Sequence, residues 1–304
     1  MLNFLPSLIL GFIASFLLGL NVLFWTTLLF IFSFLKFILP WPPLRRIWDR
    51  IIPRLAENWI SCNSGWMGLT QKTKWDVQGH KGLSYDHWYL VISNHQSWAD
   101  IFVLQHLLNR RIRLLKFFIK RELIWVPFMG LAWWALDFPF LRRHSAEYLK
   151  KHPEQKGKDL ETTRKACEKF ARIPNSVMNF IEGTRFTREK HKRQQSPFIH
   201  LLKPKSGGLA LALDVLGEKF HSLLDITIIY PQGIPTFWGF LCGRLKEVIV
   251  RFQTTEIPQK LLKGDYSGDQ AFRESFHQWV QQLWQEKDLQ IQRLLKGAAE
   301  KGKS

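Results

Sequence analysis

Cysteine is sparse in this sequence, and the few present do not pair. Cys62, Cys167 and Cys242 lie far apart, with no Cys-x-x-Cys spacing among them. That argues against a disulfide framework and a structural zinc site, and it suits a reducing, cytoplasmic setting for the soluble part. Scattered histidines such as His144, His200 and His221 show no metal-ligand spacing, so no metal is expected. Acidic side chains are also short in number: 25 Asp and Glu against 43 Lys and Arg, a net charge of +18. Such a surplus points to polyanions, whether nucleic acid, an anionic membrane surface or phosphorylated substrates. No nucleic-acid-binding motif is recognisable, and 14 Trp with 24 Phe are heavy for such a binder. They suit a bilayer interface or an acyl chain. No internal repeat and no low-complexity tract is present.

Charge is missing altogether from the first segment, where no ionisable side chain precedes Lys36. As one helix the segment would measure roughly 50 Å, against a hydrocarbon core of about 30 Å. Two short helices folded back near Gly19-Leu20-Asn21 fit that length best, with a single tilted span as the alternative. A cleaved signal peptide is not expected, because the run is too long, lacks a basic start and is followed by no Ala-x-Ala site. Lys36, Arg45, Arg46, Arg50 and Arg54 come next, and the positive-inside rule puts that end on the cytoplasmic side. The chain divides into a membrane anchor at 1–40, an amphipathic linker helix at 41–74 with a break or kink at Pro53, a main domain at 75–265, and a C-terminal amphipathic helix and tail at 266–304.

Within the main domain, short β-branched runs alternate with polar helical segments. Trp88–Ser93, Ser176–Ile181, Asp225–Tyr230 and Leu245–Phe252 are predicted strands. Asp159–Ala171 and Gly207–Leu216 are predicted helices, and Phe272, Phe276, Trp279, Val280, Leu283 and Trp284 form one stripe of a helix over Gln270–Leu295. Alternation of this kind predicts an α/β fold, a mostly parallel sheet with flanking helices, added to the N-terminal membrane helices.

Two motifs carry chemistry. Asn94-His95-Gln96-Ser97-Trp98-Ala99-Asp100 directly follows a predicted buried strand, and the carboxyl end of a strand is where α/β folds place reactive groups. His95 in the turn and Asp100 in the first helical turn can pair, the carboxylate holding one ring nitrogen while the other faces a hydroxyl. Standing alone, the motif would better describe a surface histidine beside a helix-capping aspartate. Phe180-Ile181-Glu182-Gly183-Thr184-Arg185 follows another predicted strand, and such a turn can offer amides and a guanidinium fork to a phosphate.

Taken together, the blocks resemble the PlsC-like glycerolipid or lysophospholipid acyltransferases. Asn94, His95 and Asp100 match the family's Asn-His-x4-Asp block, and Phe140-Leu141-Arg142-Arg143 matches its second. Phe180 and Glu182 to Arg185 match Phe-Pro-Glu-Gly-Thr-Arg, with Ile181 where the family usually has Pro. Lys205-Ser206-Gly207 and Ile228-Ile229-Tyr230-Pro231 match weaker features, so the likeness runs from about Trp75 to Pro231, in the family's order. Details outside the blocks resemble the bacterial YihG-type branch.

The resemblance implies an acyltransferase that needs no cofactor, with acyl-CoA or acyl-carrier protein as co-substrate. His95 would be the general base on a lysophospholipid hydroxyl, and Asp100 would orient it and stabilise its cation. Arg143, Gly183, Thr184 and Arg185 would hold the acceptor phosphate. Asn94 would support the turn through backbone hydrogen bonds, and Glu182 would pair with a neighbouring basic group. Lysophosphatidate is the first choice of acceptor, followed by lysophosphatidylglycerol or another lysophospholipid. A non-catalytic lipid-binding member of the fold is the rival reading. The expected location is the bacterial inner membrane, with the catalytic domain on the cytoplasmic side and anionic lipid as a further partner; the oligomeric state is left open.

Leu123 to Phe140 carries Asp137 as its one charge, and three tryptophans. A span there would separate His95 from Arg143, Gly183 and Arg185 across the membrane. It is therefore expected to be buried and partly interfacial, either lining an acyl-chain channel or forming ordinary core. The basic run Lys190-His191-Lys192-Arg193 suits either a headgroup or donor-protein contact, or a solvated loop.

Overall fold

The computed structural model describes residues 2, 4–39, 41–141, 175–262, 264–266 and 268–301. Eight strands are described, numbered in chain order: β1 (Lys74–Gln78), β2 (Tyr89–Ser93), β3 (Leu115–Phe117), β4 (Ile119–Lys120), β5 (Phe140–Leu141), β6 (Ser176–Phe180), β7 (Ser222–Ile229) and β8 (Glu247–Thr255). Six of them form one sheet in the order β1-β8-β7-β2-β6-β3, while β4 and β5 pair separately. Every pairing is parallel except β7 with β8. The mostly parallel sheet predicted from the alternation is therefore present, with the edge pair β1 and β8 running opposite to the other four strands.

Strand β2 lies near the centre and is buried on both faces along its whole length. Its alternate side chains feed two different cores. Leu90 and Ile92 point to helices α6 (Gly207–Leu216) and α8 (Gln270–Lys301), whose Leu209, Leu213, Phe276, Val280 and Trp284 cover that face. Tyr89 and Val91 point to α3 (Ala99–Leu108), which contributes Val103, Leu104 and Leu107. The stripe read on the C-terminal helix is thus a packing face, and Lys287 from the same helix is buried in an ion pair with Asp225 of β7.

The N-terminal segment departs from the favoured expectation. One uninterrupted helix, α1 (Ser7–Ile38), passes straight through Gly19-Leu20-Asn21, and no fold-back occurs there. The hairpin is made instead by α1 with α2 (Pro42–Thr70), which continues through Pro53. Asn21 Nδ2 donates to Trp59 O at 3.2 Å and to Asn63 Oδ1 at 2.8 Å, Leu2 N donates to Leu69 O at 2.8 Å, and Lys36 pairs with Asp49 at 2.8 Å. A glycine costs a helix only about 1 kcal/mol, so packing along α2 outweighs the weak break at Gly19. Helix α1 is long and apolar enough to cross a membrane. It also lies on the domain: Gly11 faces Cys242, just past the short helix α7 (Phe237–Leu241), so closely that a Cβ would stand 2.6 Å from its Sγ.

Leu123 to Phe140 is not one helix. A 3-10 turn (Arg121–Trp125) is followed by α4 (Met129–Ala135). Ala132, Ala135 and Phe138 are buried, whereas Trp125, Phe128 and Trp134 are exposed. The predicted helix at 159–171, together with Arg142 and Arg143, lies outside the described residues.

Candidate active site

Strands β7, β2 and β6 are neighbours and all parallel, so their carboxyl ends open at the same sheet edge. Ser93 stands level with Phe180 on one side and Ile226 on the other. The turns after these strands therefore leave the sheet together, and they carry both sequence motifs.

His95 follows β2, and Asp100 occupies the first turn of α3. His95 Nδ1 lies 2.9 Å from Asp100 Oδ2. The same oxygen accepts the backbone N–H groups of Gln96 at 2.6 Å and Ser97 at 2.9 Å. Oδ1 accepts the hydroxyl of Tyr230, at the end of β7, at 2.6 Å. A carboxylate in such company is a pure acceptor, so Nδ1 carries its proton and Nε2 presents a lone pair. The carboxylate side chain is 1% exposed and the imidazole 13%, which leaves the ring reachable and its partner dry. Phe180 stacks on the imidazole with centroids 4.0 Å apart and planes 14° apart, fixing the plane of the ring. Burial and the Asp100 charge push the Tyr230 phenol well above its ordinary range, so it stays a donor.

Asn94 bonds the backbone of β7 in both directions, to Ile228 O at 2.8 Å and from Ile228 N at 2.9 Å. Glu182 pairs with no basic side chain among the described residues, in contrast to the expectation. Its two oxygens accept His95 N at 2.8 Å and Leu202 N at 2.9 Å. Burial pushes its carboxyl up to about 7, against the pull of those two amides. Glu182 thereby clamps the turn bearing His95 to the loop at Leu202. That loop is anchored by α8, where Asp288 accepts Ile199 N and His200 N, and Trp284 Nε1 donates to Leu202 O.

Beyond Glu182 the chain turns sharply. Gly183 adopts φ +67°, and a Cβ there would stand 3.1 Å from Lys205 Cδ. Thr184 Oγ1 accepts from Lys190 Nζ at 2.7 Å, and the same ammonium donates to Arg185 O at 3.0 Å. Lys190 belongs to α5 (Arg188–Gln194), so one member of the basic run is built into this turn. The Arg185 guanidinium sits 4.8 Å from the Trp98 ring centroid. Ile181, in place of the usual proline, is fully buried in the core. His95, Asp100, Asn94, Glu182, Gly183, Thr184 and Arg185 are thus brought to one edge, while Arg143 lies outside the described residues.

Residues 74–233 match the sequence model of the Acyltransferase family. The chain belongs to the acyltransferase family. Among its relatives, 1-acyl-sn-glycerol-3-phosphate acyltransferase gamma of Mus musculus is 26% identical over 82% of this chain and 65% of its own length. Lysocardiolipin acyltransferase 1 of Danio rerio is 25% identical over 83% of this chain and 63% of its own. The chain therefore spans somewhat less than two-thirds of the length of those relatives. The crystal structure of the 1-acyl-sn-glycerophosphate (LPA) acyltransferase PlsC from Thermotoga maritima superposes with a TM-score of 0.55 at 18% identity, covering 96% of both chains.

The motifs leave several groups that contact these residues unassigned: Tyr230, the ring of Phe180, Trp98, Lys190 and the Leu202 amide. Tyr230 and Phe180 stand inside matched blocks, so a signal existed. A backbone donor such as Leu202 N has no residue-type signature at all.

Proposed function

We propose that this protein moves a fatty acyl chain from acyl-CoA or acyl-carrier protein to the free hydroxyl of 1-acylglycerol-3-phosphate, giving phosphatidate. His95 Nε2 takes the hydroxyl proton as the oxygen attacks the thioester carbonyl. The tetrahedral intermediate then expels the thiolate, which recovers the proton from the imidazolium. Asp100 holds the ring in the productive tautomer and offsets its positive charge. Gly183, Thr184 and Arg185, with Arg143, bind the acceptor phosphate; Asn94 and Glu182 keep the two turns in register.

The observation that carries this reading is the His95–Asp100 contact at the same sheet edge as the Gly183–Arg185 turn. The Mus musculus relative and the PlsC structure bear names that agree with this acceptor. The lysocardiolipin acyltransferase relative favours a second reading, acylation of another lysophospholipid. The apolar surface of α1, with Phe12, Phe16 and Phe37 exposed, attaches the protein to a membrane. In a bacterial cell that is the inner membrane, with the site on the cytoplasmic side, and the cationic surplus draws the domain to anionic lipid.

Acyl transfer from labelled oleoyl-CoA to a panel of lysophospholipids tests the proposal. Transfer to lysophosphatidate is expected, with a loss of about 10²–10⁴ in rate for His95→Ala. Unchanged turnover in that variant, with the fold intact, would sink the mechanism.

A further inference from the structure

Trp98 stands in the middle of the first motif, yet the catalytic pair does not depend on its side chain. Asp100 is gripped by Gln96 N, Ser97 N and Tyr230 Oη, and Ser97 is tied down through its hydroxyl to Pro235 O at 2.6 Å. The indole is half exposed and lies instead against the Arg185 guanidinium, 4.8 Å from ring centroid to Cζ. Among the described residues, Arg185 pairs with no carboxylate, and its backbone carbonyl is fixed by Lys190 Nζ at 3.0 Å. Both ends of the arginine are therefore restrained, the backbone by an ammonium and the guanidinium by a ring.

The chemistry of that restraint matters. A guanidinium stacked on an aromatic face keeps its N–H donors in its own plane, free for a bidentate anion. A carboxylate partner would occupy those donors; an indole does not. Trp98 also sits three residues after His95, in the turn that carries the base. It thus links the direction of the fork to the position of the imidazole.

We infer that Trp98 is a positioning residue for acceptor binding, its indole holding Arg185 so that the fork receives the acceptor phosphate at a fixed distance from His95. The inference rests on the assignment of Arg185 to that phosphate. It predicts a split between kinetic parameters that loss of packing would not produce. The indole makes none of the hydrogen bonds that hold the His95–Asp100 pair, so its loss leaves that pair in place.

The experiment measures kcat and both KM values for the full-length protein in detergent micelles, with lysophosphatidate and oleoyl-CoA as substrates. The variants are Trp98→Leu, Trp98→Phe, Arg185→Ala and the double variant Trp98→Leu/Arg185→Ala. Trp98→Leu is expected to raise the lysophosphatidate KM about three- to thirty-fold, the range of a single cation–π contact. The oleoyl-CoA KM should stay put and kcat should fall less than the acceptor KM rises. Trp98→Phe keeps an aromatic face and should recover most of the loss. In the Arg185→Ala background Trp98→Leu should add nothing. Equal behaviour of the Leu and Phe variants, or additive losses in the double variant, would overturn the inference even if Trp98→Leu lowers stability. If Arg185→Ala raises the acceptor KM and Trp98→Leu does not, this inference alone falls. If Arg185→Ala leaves the acceptor KM unmoved, the phosphate assignment fails first.

Discussion

Replacing Asp100 by asparagine separates the charge of this side chain from its hydrogen bonds. At the Oδ2 position the amide oxygen can still accept His95 Nδ1, Gln96 N and Ser97 N, which lie at 2.9, 2.6 and 2.9 Å. The new NH2 group then takes the place of Oδ1, 2.6 Å from Tyr230 Oη. A hydroxyl both donates and accepts, so Tyr230 can rotate its proton away and receive the amide. All four bonds lose their charge assistance but none is left unmade, and a neutral amide costs less to bury than a carboxylate, so the expected stability loss is about 1–2 kcal/mol. Asp100→Ala has no such escape. It strands two backbone donors and a phenol in a site that is 0% exposed, for about 3 kcal/mol or more. Activity should not be spared in the same way. Without the carboxylate charge the imidazolium loses its partner, and Asp100→Asn should lose about 10²–10⁴ in kcat while remaining folded. Urea denaturation in detergent and acyl-transfer kinetics on both variants make the test. An Asn variant that unfolds as readily as the Ala variant refutes the switch of Tyr230; one that keeps kcat within threefold refutes the use of the charge. Adding Tyr230→Phe to Asp100→Asn removes the acceptor and should bring the missing stability loss back.

Glu182 gives a pH dependence whose sign is fixed by its shift. Its folded carboxyl titrates at about 7 because of burial, and the ordinary value is 4.5. Between those values the folded state binds more protons than the unfolded one, so stability is fullest below the lower value and falls as pH rises through the upper. The stability gap between wild type and Glu182→Gln should shift by on the order of 2 kcal/mol between pH 5 and 7.5, to the detriment of wild type. A gap that is constant with pH would contradict this. Lys287→Met leaves Asp225 buried without its cation, and about 3–5 kcal/mol of stability should be lost. Lys287→Met/Asp225→Asn should recover much of it in a denaturant titration, and no recovery would mean that the pair is not a closed unit.

The strands that read clearly from the sequence are the central ones. Strand β2 and most of β7 are apolar and β-branched because both faces are covered. Strand β1, Lys-Trp-Asp-Val-Gln, is an edge strand with no fully buried residue, and β3 has three residues with a lysine at its centre. Neither carries a pattern distinct from loop, and no local pattern announces that β8 runs antiparallel to β7 and parallel to β1. The misplaced fold-back has a similar origin. The partner of α1 is α2, whose amphipathic sequence says that it packs on something but not on what. At the site, strand-end turns were readable because the candidate residues sit in short contiguous motifs. Tyr230 lies 130 residues from Asp100 in sequence, and only the parallel register of β2 with β7 brings the two together.

Helix α8 has a consequence for what counts as a module in this protein. The segment that matches the family, 74–233, contains every described side chain assigned to chemistry, yet it is not a unit that stands by itself. Its first strand, β1, pairs among the described residues with β8 at 247–255, outside the segment. Its loop at Leu202, which meets Glu182, is held by Trp284 and Asp288, further outside still. Heredity and mechanics divide this chain at different places. A fragment cut at the family's boundaries would keep the whole vocabulary of the reaction and lose the frame that spells it.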